Sequence, residues 1–148
     1  MGAKKIDKAE QVAKTSMKLS FIILTILGIL LFIFANHLAT LFIPGEEIIT
    51  DIATKFIRIM AFSFGFLGIL IVIDGIFIGA GNTLTVMVLT VISLWLLRVP
   101  LAYLLSRSPL KENGIWWAFP IANITAMLLS YMWYRRGYWK KKEITKHI

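Results

Sequence analysis

Long apolar stretches alternate with short polar segments along most of the chain. Four of these stretches, at residues 19–38, 60–78, 83–105 and 114–134, consist mainly of apolar side chains. Each is close to the length of about 20 residues that a helix needs to cross the hydrocarbon core of a bilayer. The pattern predicts an all-α integral membrane protein with a four-helix membrane domain over residues 19–134.

The segment before the first apolar stretch, residues 1–18, is polar and basic. Its apolar side chains recur at helical spacing, at Ile6, Ala9, Ala13 and Met17. This spacing predicts an amphipathic helix that lies on the cytoplasmic membrane surface and continues into the first span. A solvated lead-in to the first span fits the same pattern.

A second amphipathic segment precedes the second span. Pro44 and Gly45 stop the first helix, after which apolar residues recur every three or four positions, at Ile48, Ile49, Ile52, Ala53, Phe56 and Ile57. We expect one helix from Glu46 to Gly79, about 50 Å long. That exceeds the ~30 Å of a bilayer core, so its first three turns should lie at or outside the outer interface.

The basic residues lie mainly at the two ends of the chain, which has a formal net charge of +8. Five lysines precede the first span: Lys4, Lys5, Lys8, Lys14 and Lys18. Six basic residues follow the last span, in a tail over residues 135–148: Arg135, Arg136, Lys140, Lys141, Lys142 and Lys146. Basic residues accumulate on the cytoplasmic side of membrane proteins. We therefore expect both termini in the cytoplasm, a lipid bilayer as partner, multi-pass location in the plasma membrane, and no nucleic-acid binding.

A short uncharged turn, Gly79-Ala80-Gly81-Asn82-Thr83, joins the second and third spans into a hairpin. It is not a phosphate-binding loop, because no Lys-Ser/Thr pair follows it and it joins two helices. Gly75 and Gly79 lie one helical turn apart just before it. Small residues at this spacing favour close approach of helices in lipid.

Asp74 is the acidic residue within the predicted spans. A carboxylate in a spanning helix costs several kcal/mol and usually faces a bundle interior or a water-filled cavity. The residue is a candidate site for a proton, a sodium ion or a cationic substrate. It also lies about 7–8 Å from the inner turn, where a purely structural carboxyl could reach water.

Arg98 is the basic counterpart in the third span, two residues before Pro100. We expect Arg98 to be mainly structural: it can extend its guanidinium to the interface, bond carbonyls freed near Pro100, or pair with an acid on another helix. We do not expect it to pair with Asp74, because their predicted depths differ by about 15 Å.

Asn123 and Ser130 are polar residues seven positions apart in the fourth span. We favour hydrogen bonds between helices for both, with ligand contact as the alternative, and keep Asn123 with Asp74 as a candidate for a cation or substrate pathway. Pro120 predicts a bend or a distorted first turn in this span.

The chain contains no cysteine and two isolated histidines, so we expect no metal site, no cofactor and no enzyme activity.

Several motifs occur in a recognisable order: a Gly2-Ala3-Lys4-Lys5 start, the Gly79–Thr83 turn, Arg98-x-Pro100-Leu-Ala-Tyr-Leu-Leu, Gly114-Ile-Trp-Trp-Ala and Arg135-Arg-Gly-x-Trp-Lys. This order resembles the multidrug and toxic compound extrusion (MATE) family. The resemblance covers nearly the whole chain. It implies the last four helices of the C-terminal lobe, within a family whose members have two lobes of six helices.

The resemblance also implies a function. Members of the family export cationic, amphipathic compounds in exchange for H⁺ or Na⁺, and no other cofactor is implied. Arg98 and Pro100 match a family motif, and with Gly75, Gly79 and Gly81 we expect them to be structural. Some members use an acid that would fall near Leu67 in this chain, which is apolar, so Asp74 is not its equivalent.

Three functions follow as expectations. The first is a part of a multidrug efflux antiporter, as a truncated chain that works with the remaining helices of a MATE-type transporter or with another copy of itself. The second is a structural membrane subunit that oligomerises through Gly75 and Gly79 and transports nothing. The third is a fragment of a lipid-linked oligosaccharide flippase. Flippase cavities are usually strongly basic, and Arg98 is the only lysine or arginine within the four predicted spans, which disfavours this alternative.

Overall fold

The computed structural model describes residues 6–107 and 111–137, and within these ranges the chain is helical and contains no strand. The helices are α1 (Ile6–Phe42), α2 (Glu47–Ala61), α3 (Phe64–Gly79), α4 (Thr83–Val91), α5 (Val99–Ser106) and α6 (Lys111–Arg135). A π-helical segment, Ile92–Arg98, joins α4 to α5. The predicted all-α class is confirmed. Residues 1–5 and most of the basic tail, 138–148, lie outside the described residues.

Three continuous helical stretches are long and apolar enough to cross a membrane: Lys8–Phe42, Thr83–Ser106 and Gly114–Arg135. The pair α2 and α3 also qualifies when its two helices are taken together. The four-span arrangement therefore stays a prediction that depends on whether this pair is one span.

The expected single helix from Glu46 to Gly79 is broken, because α2 and α3 meet at an angle of 54°. The break lies at Phe62 and Ser63, inside the predicted second span of residues 60–78. Both the amide and the hydroxyl of Ser63 donate to the carbonyl oxygen of Met60, each at 3.0 Å. A serine hydroxyl that bonds nearby backbone competes with the regular helical ladder, which explains why the helix changes direction here.

The N-terminal part of α1 belongs to the helical bundle. Ala13 and Met17, from the predicted amphipathic stripe, are buried in a cluster with four residues from the rest of the chain: Ile73, Phe77, Ala80 and Tyr134. The stripe thus packs against α3 and α6, and α1 continues from it through the predicted first span. The cluster also brings the start of α1, the residue 79–82 turn and the last turn of α6 to one end of the bundle, which we call the turn end.

The turn itself ends α3 with a Schellman motif. Gly81 has a φ of 71°, in the left-handed region that favours glycine. Its amide donates to the carbonyl of Ile78 at 2.9 Å, and the amide of Asn82 donates to the carbonyl of Phe77 at 2.8 Å. The Gly-rich sequence is therefore explained by turn geometry, as predicted.

Close packing between α1 and the α2–α3 pair depends on glycines that the sequence pattern did not single out. A Cβ added at Gly68 would lie 2.8 Å from the carbonyl oxygen of Ser20, and one added at Gly28 would lie 2.8 Å from that of Ala61. A Cβ at Gly75 or Gly79 would meet nothing within 4 Å. The prediction that Gly75 and Gly79 allow close helix approach is wrong for contacts within the described chain.

The π-helical segment lies directly before Pro100, in the first turn of α5. Proline lacks an amide hydrogen, and its ring clashes with the carbonyl four residues earlier. A wider π turn relieves this clash and is a common form of helix irregularity. Pro120, where a bend or distorted first turn was expected, is fully buried inside α6, which continues on both sides of it from Lys111 to Arg135.

A chain of polar side chains connects these irregular regions. Arg98 Nη2 donates to Asn123 Oδ1 at 2.9 Å, and Asn123 Nδ2 donates to Ser63 Oγ at 3.3 Å. Ser63 is 1% exposed and Asn123 7% exposed. The Arg98 guanidinium also lies over the ring of Phe119, 4.8 Å from its centroid. The Arg98–Asn123–Ser63 network thus ties the π segment and the α2–α3 break to α6.

We expect Gly68→Val to destabilise the fold by about 1–3 kcal/mol, since the new side chain would overlap the backbone of α1. The measurement is SDS-induced unfolding in detergent micelles, followed by far-UV circular dichroism. Gly75→Val is the matched control, because it adds the same side chain to the same helix in open space. Equal losses in both variants would contradict the packing described here.

We expect Asn123→Leu to cost about 1–3 kcal/mol in the same assay, because it removes the acceptor for a partly buried guanidinium. Combining it with Arg98→Leu should cost less than the sum of the single changes, since the unpaired charge is then absent. Thr125→Val is the control on the same helix, where the hydroxyl bonds only the Ile121 carbonyl in its own helix. Strict additivity of the Arg98 and Asn123 changes would show that the two side chains do not interact.

Candidate functional site

A groove of about 180 Å³ runs between α3, the α4–π segment and α6. Its walls are apolar helices, yet half of its twelve lining residues are polar: Asp74, Thr90, Ser93, Arg98, Asn123 and Ser130. Polar side chains inside a membrane bundle are costly and often mark substrate or ion pathways. We call this polar groove the candidate site.

The helix directions give the groove two different ends. Asp74 lies five residues before Gly79 on α3, near the turn end. Arg98 lies at the far end of the π segment and is bonded to Asn123. Ser130 follows Asn123 by seven residues on α6, about 10 Å closer to the turn end. The groove therefore has an acidic end near the turn and a basic end at the opposite side.

Asp74 is half-buried and makes no hydrogen bond or ion pair with any other described residue. In particular, no Asp74–Arg98 pair within 4.0 Å occurs in the described part of the chain, as the sequence predicted. The carboxylate contributes to the lining of the groove. Its oxygens are therefore available to a proton, a cation or a group from outside these helices.

The basic end of the groove differs because its charge already has partners. Arg98 donates to Asn123 and lies over Phe119. Its Nε is buried without a hydrogen-bond partner among the described residues. The expected partner on another helix is thus the amide of Asn123, not a carboxylate. This contact fits the mainly structural role predicted for Arg98, and the hydrogen bonding between helices that we favoured for Asn123.

The chemistry of the groove suits a small or monovalent cation better than a tightly held metal ion. Among the described residues, no group of three or more His, Cys, Asp or Glu side chains comes together. The Asp74 carboxylate and the hydroxyl groups of the groove lining are hard oxygen ligands with a single negative charge among them. Such a set can exchange its occupant, which tight coordination would prevent.

The structure brings together some of the predicted site residues and separates others. Asp74 and Asn123 line the same groove, with Arg98 at its end. Pro100, Gly75 and Gly79 do not line it, and Gly81 lies in the turn. The sequence analysis did not anticipate Ser63 or Phe119, although Ser63 is a lone polar residue in a run of phenylalanine and glycine, and Phe119 lies one turn before Asn123.

A second, apolar cavity of about 340 Å³ lies between α1 and the α2–α3 break. Its lining includes four phenylalanines, and Thr25 is its one polar side chain. It shares no residue with the polar groove. The two cavities therefore differ in chemistry and lie against different helices.

Comparisons with known proteins identify the family. The family model described as MatE matches residues 1–104. The chain is 31% identical over 149 aligned positions to the probable multidrug resistance protein YoeA of Bacillus subtilis, covering 100% of this chain and 32% of that protein. No solved structure matches significantly.

Two further relatives carry similar names. The probable multidrug resistance protein YpnP of Bacillus subtilis is 29% identical over 78% of this chain and 26% of its own length. The probable multidrug resistance protein NorM of Thermotoga maritima is 29% identical over 85% of this chain and 27% of its own length. The chain thus spans a third or less of each of these relatives. The family match over most of the chain, and the similarity to YoeA along all of it, show that this membrane protein belongs to the MatE family.

Proposed function

We propose that the chain forms part of a multidrug efflux antiporter that exports cationic amphipathic compounds in exchange for H⁺ or Na⁺. The proposal places it in the plasma membrane with four spans, the bent α2–α3 pair being one of them. Both ends of the described chain lie on the same side as the residue 79–82 turn, consistent with cytoplasmic termini. The names of the relatives support multidrug efflux.

The observation that carries the proposal is the unpaired Asp74 carboxylate in a groove between apolar helices. A carboxylate at such a position attracts a cation, since water is scarce and no described basic side chain neutralises it. Binding of H⁺ or Na⁺ would cancel this charge, and release would restore it. The groove therefore has the minimum chemistry for exchanging a coupling ion against a cationic compound.

The mechanism we propose is alternating access, with the described helices moving as one unit. The packing at Gly28 and Gly68, and the Arg98–Asn123–Ser63 network, join α1, α2, α3, the π segment and α6 by side-chain or close backbone contacts. Further helices would complete the cavity for the transported compound. These would come from the remainder of a MATE-type transporter or from another copy of the chain.

The surface supports a need for such further helices or for lipid. Large apolar side chains are exposed along the first and third spans, and Ile33, Val12, Leu84 and Trp95 are each at least 60% exposed. No residue of α4 is buried. Since the chain spans a third or less of its relatives, these faces are where additional helices of a transporter could pack.

A structural subunit that oligomerises without transport is the alternative, and one observation favours it. Gly75 and Gly79 lie one turn apart on α3 with open space around both. Small residues at this spacing promote close contacts between helices in membranes. A second copy of the chain could use this face. The flippase alternative has less support, because Arg98 is already bonded within the bundle.

Export predicts that expression of the chain lowers ethidium accumulation in a host that lacks its own efflux pumps, and that Asp74→Asn raises accumulation to the level of the empty vector. The amide keeps the shape of the side chain and removes the charge that attracts the cation. Asp51→Asn is the matched control, because Asp51 is exposed and pairs with Lys55 at 2.6 Å outside the groove. Fluorescence of the cells and membrane levels of each variant are the measurements.

Two outcomes count against export. An Asp74→Asn variant that expels ethidium as well as the wild type would remove Asp74 from the mechanism. If the wild-type chain leaves accumulation unchanged and is monomeric in detergent, it does not export by itself. If it leaves accumulation unchanged but forms oligomers that Gly75→Leu disperses, the structural-subunit alternative is supported.

A further inference from the structure

The apolar cavity between α1 and the α2–α3 break has the shape of a slot along the outside of the bundle. Its lining residues on α1 extend from Phe21 to Phe32, and those on the break are Ala61, Phe62, Gly65 and Phe66. Phe62 is 68% exposed and Ile29 54% exposed, so the slot is open on its outer side. Gly28 and Gly65 lie where α1 and the α2–α3 pair approach each other most closely, so they form the floor of the slot.

The length of the slot matches one leaflet of a bilayer. Phe21 and Phe32 are eleven residues apart on α1, which corresponds to about 16 Å along the helix. Half of a bilayer core is about 15 Å thick. An acyl chain that lies along α1 would therefore fill the slot from the headgroup region to the bilayer centre.

The depth of the slot is consistent with this orientation. Ala13 packs in the same cluster as Ala80 at the turn end. Phe32 lies nineteen residues beyond Ala13 on α1, about 28 Å away. That distance is close to the ~30 Å thickness of a bilayer core. The Phe32 end of the slot thus lies at the interface opposite the turn end.

A positive charge is located at that interface. The Arg58 guanidinium lies over the ring of Phe32, 5.6 Å from its centroid. Arg58 is exposed and has no carboxylate within 4.0 Å among the described residues. The acidic residue on the preceding turns, Asp51, is paired with Lys55. Arg58 is therefore available to an anion at the mouth of the slot.

We propose that this slot is a phospholipid-binding site, in which one acyl chain lies along α1 and the phosphate pairs with Arg58. Arginine suits this role because its planar guanidinium can bond two phosphate oxygens at once. The slot is a poor site for bound water, because the Thr25 hydroxyl is its single polar side-chain group and a stable buried water needs two or more partners. The proposal does not depend on whether the chain exports drugs.

The experiment uses the purified full chain, delipidated in detergent and titrated with dioleoylphosphatidylglycerol, with bound lipid counted by native mass spectrometry. Arg58→Gln should weaken the binding of phosphatidylglycerol about tenfold, because it removes a charged hydrogen-bond donor. Arg107→Gln is the matched control: its guanidinium lies 4.4 Å from the ring centroid of Tyr103 on the neighbouring helical turn, away from the slot. It should bind lipid as the wild type does.

A second probe separates the headgroup from the acyl chains. Dioleoylglycerol has the same chains and no phosphate, so it should bind the wild-type protein no better than phosphatidylglycerol binds Arg58→Gln. Ile29→Trp should reduce binding of both probes by filling the open side of the slot. Equal binding of phosphatidylglycerol to the wild type, Arg58→Gln and Ile29→Trp would overturn the proposal.

A cysteine variant tests the competing occupant, a helix of a second copy. The natural chain contains no cysteine, so Ile29→Cys introduces one thiol at the slot. With lipid in the slot, phosphatidylglycerol should slow maleimide labelling of this thiol at least several-fold. Rapid oxidation to a disulfide-linked dimer that lipid does not prevent would show that protein fills the slot instead, and would overturn the proposal.

Discussion

Polar groups that lie among apolar helices must find partners within the protein, because lipid supplies none. The Arg98–Asn123–Ser63 network meets this requirement for a guanidinium, an amide and a hydroxyl together. It also ties α6 to the two places where regular helix geometry fails, the α2–α3 break and the π segment. The polar groove exists beside this network because the α2–α3 break and the π segment keep neighbouring helices from packing side by side along their whole length.

Much of the secondary structure could be predicted from the sequence, because membrane helices have a strong hydropathy signal and Gly81 has a clear role in ending α3. The break at Ser63 could not, since hydropathy records the apolar character of a segment and not its direction. The π segment could not be predicted either: the sequence shows a proline at position 100 of the third span, but not how the preceding helical turn changes. The glycines at the close contacts of α1 could not be identified from the sequence either. Their spacing favoured Gly75 and Gly79, but in the structure Gly28 and Gly68 lie at the helix contacts.

The candidate site was partly predictable in the same sense. Asp74 and Arg98 were identified because each is a charged residue within an apolar span. Their estimated depths correctly predicted that the two side chains do not pair. Sequence alone could not show that Asp74, Asn123 and Ser130 line one groove, because this depends on how α3, α4 and α6 are arranged around each other. Nor could it show that the partner of Arg98 is the amide of Asn123, because that contact also depends on which faces of the helices meet.

The short turn between α3 and α4 has a consequence for the polar groove. Three residues, 80–82, separate the two helices at the Asp74 end, so the covalent chain fixes the distance between them there. At the Arg98 end no such short link joins α3 to the π segment, and the network through Asn123 holds the gap closed. The turn therefore acts as a hinge for the groove. Any change in the width of the groove is smallest at the Asp74 carboxylate and largest at the Arg98 guanidinium.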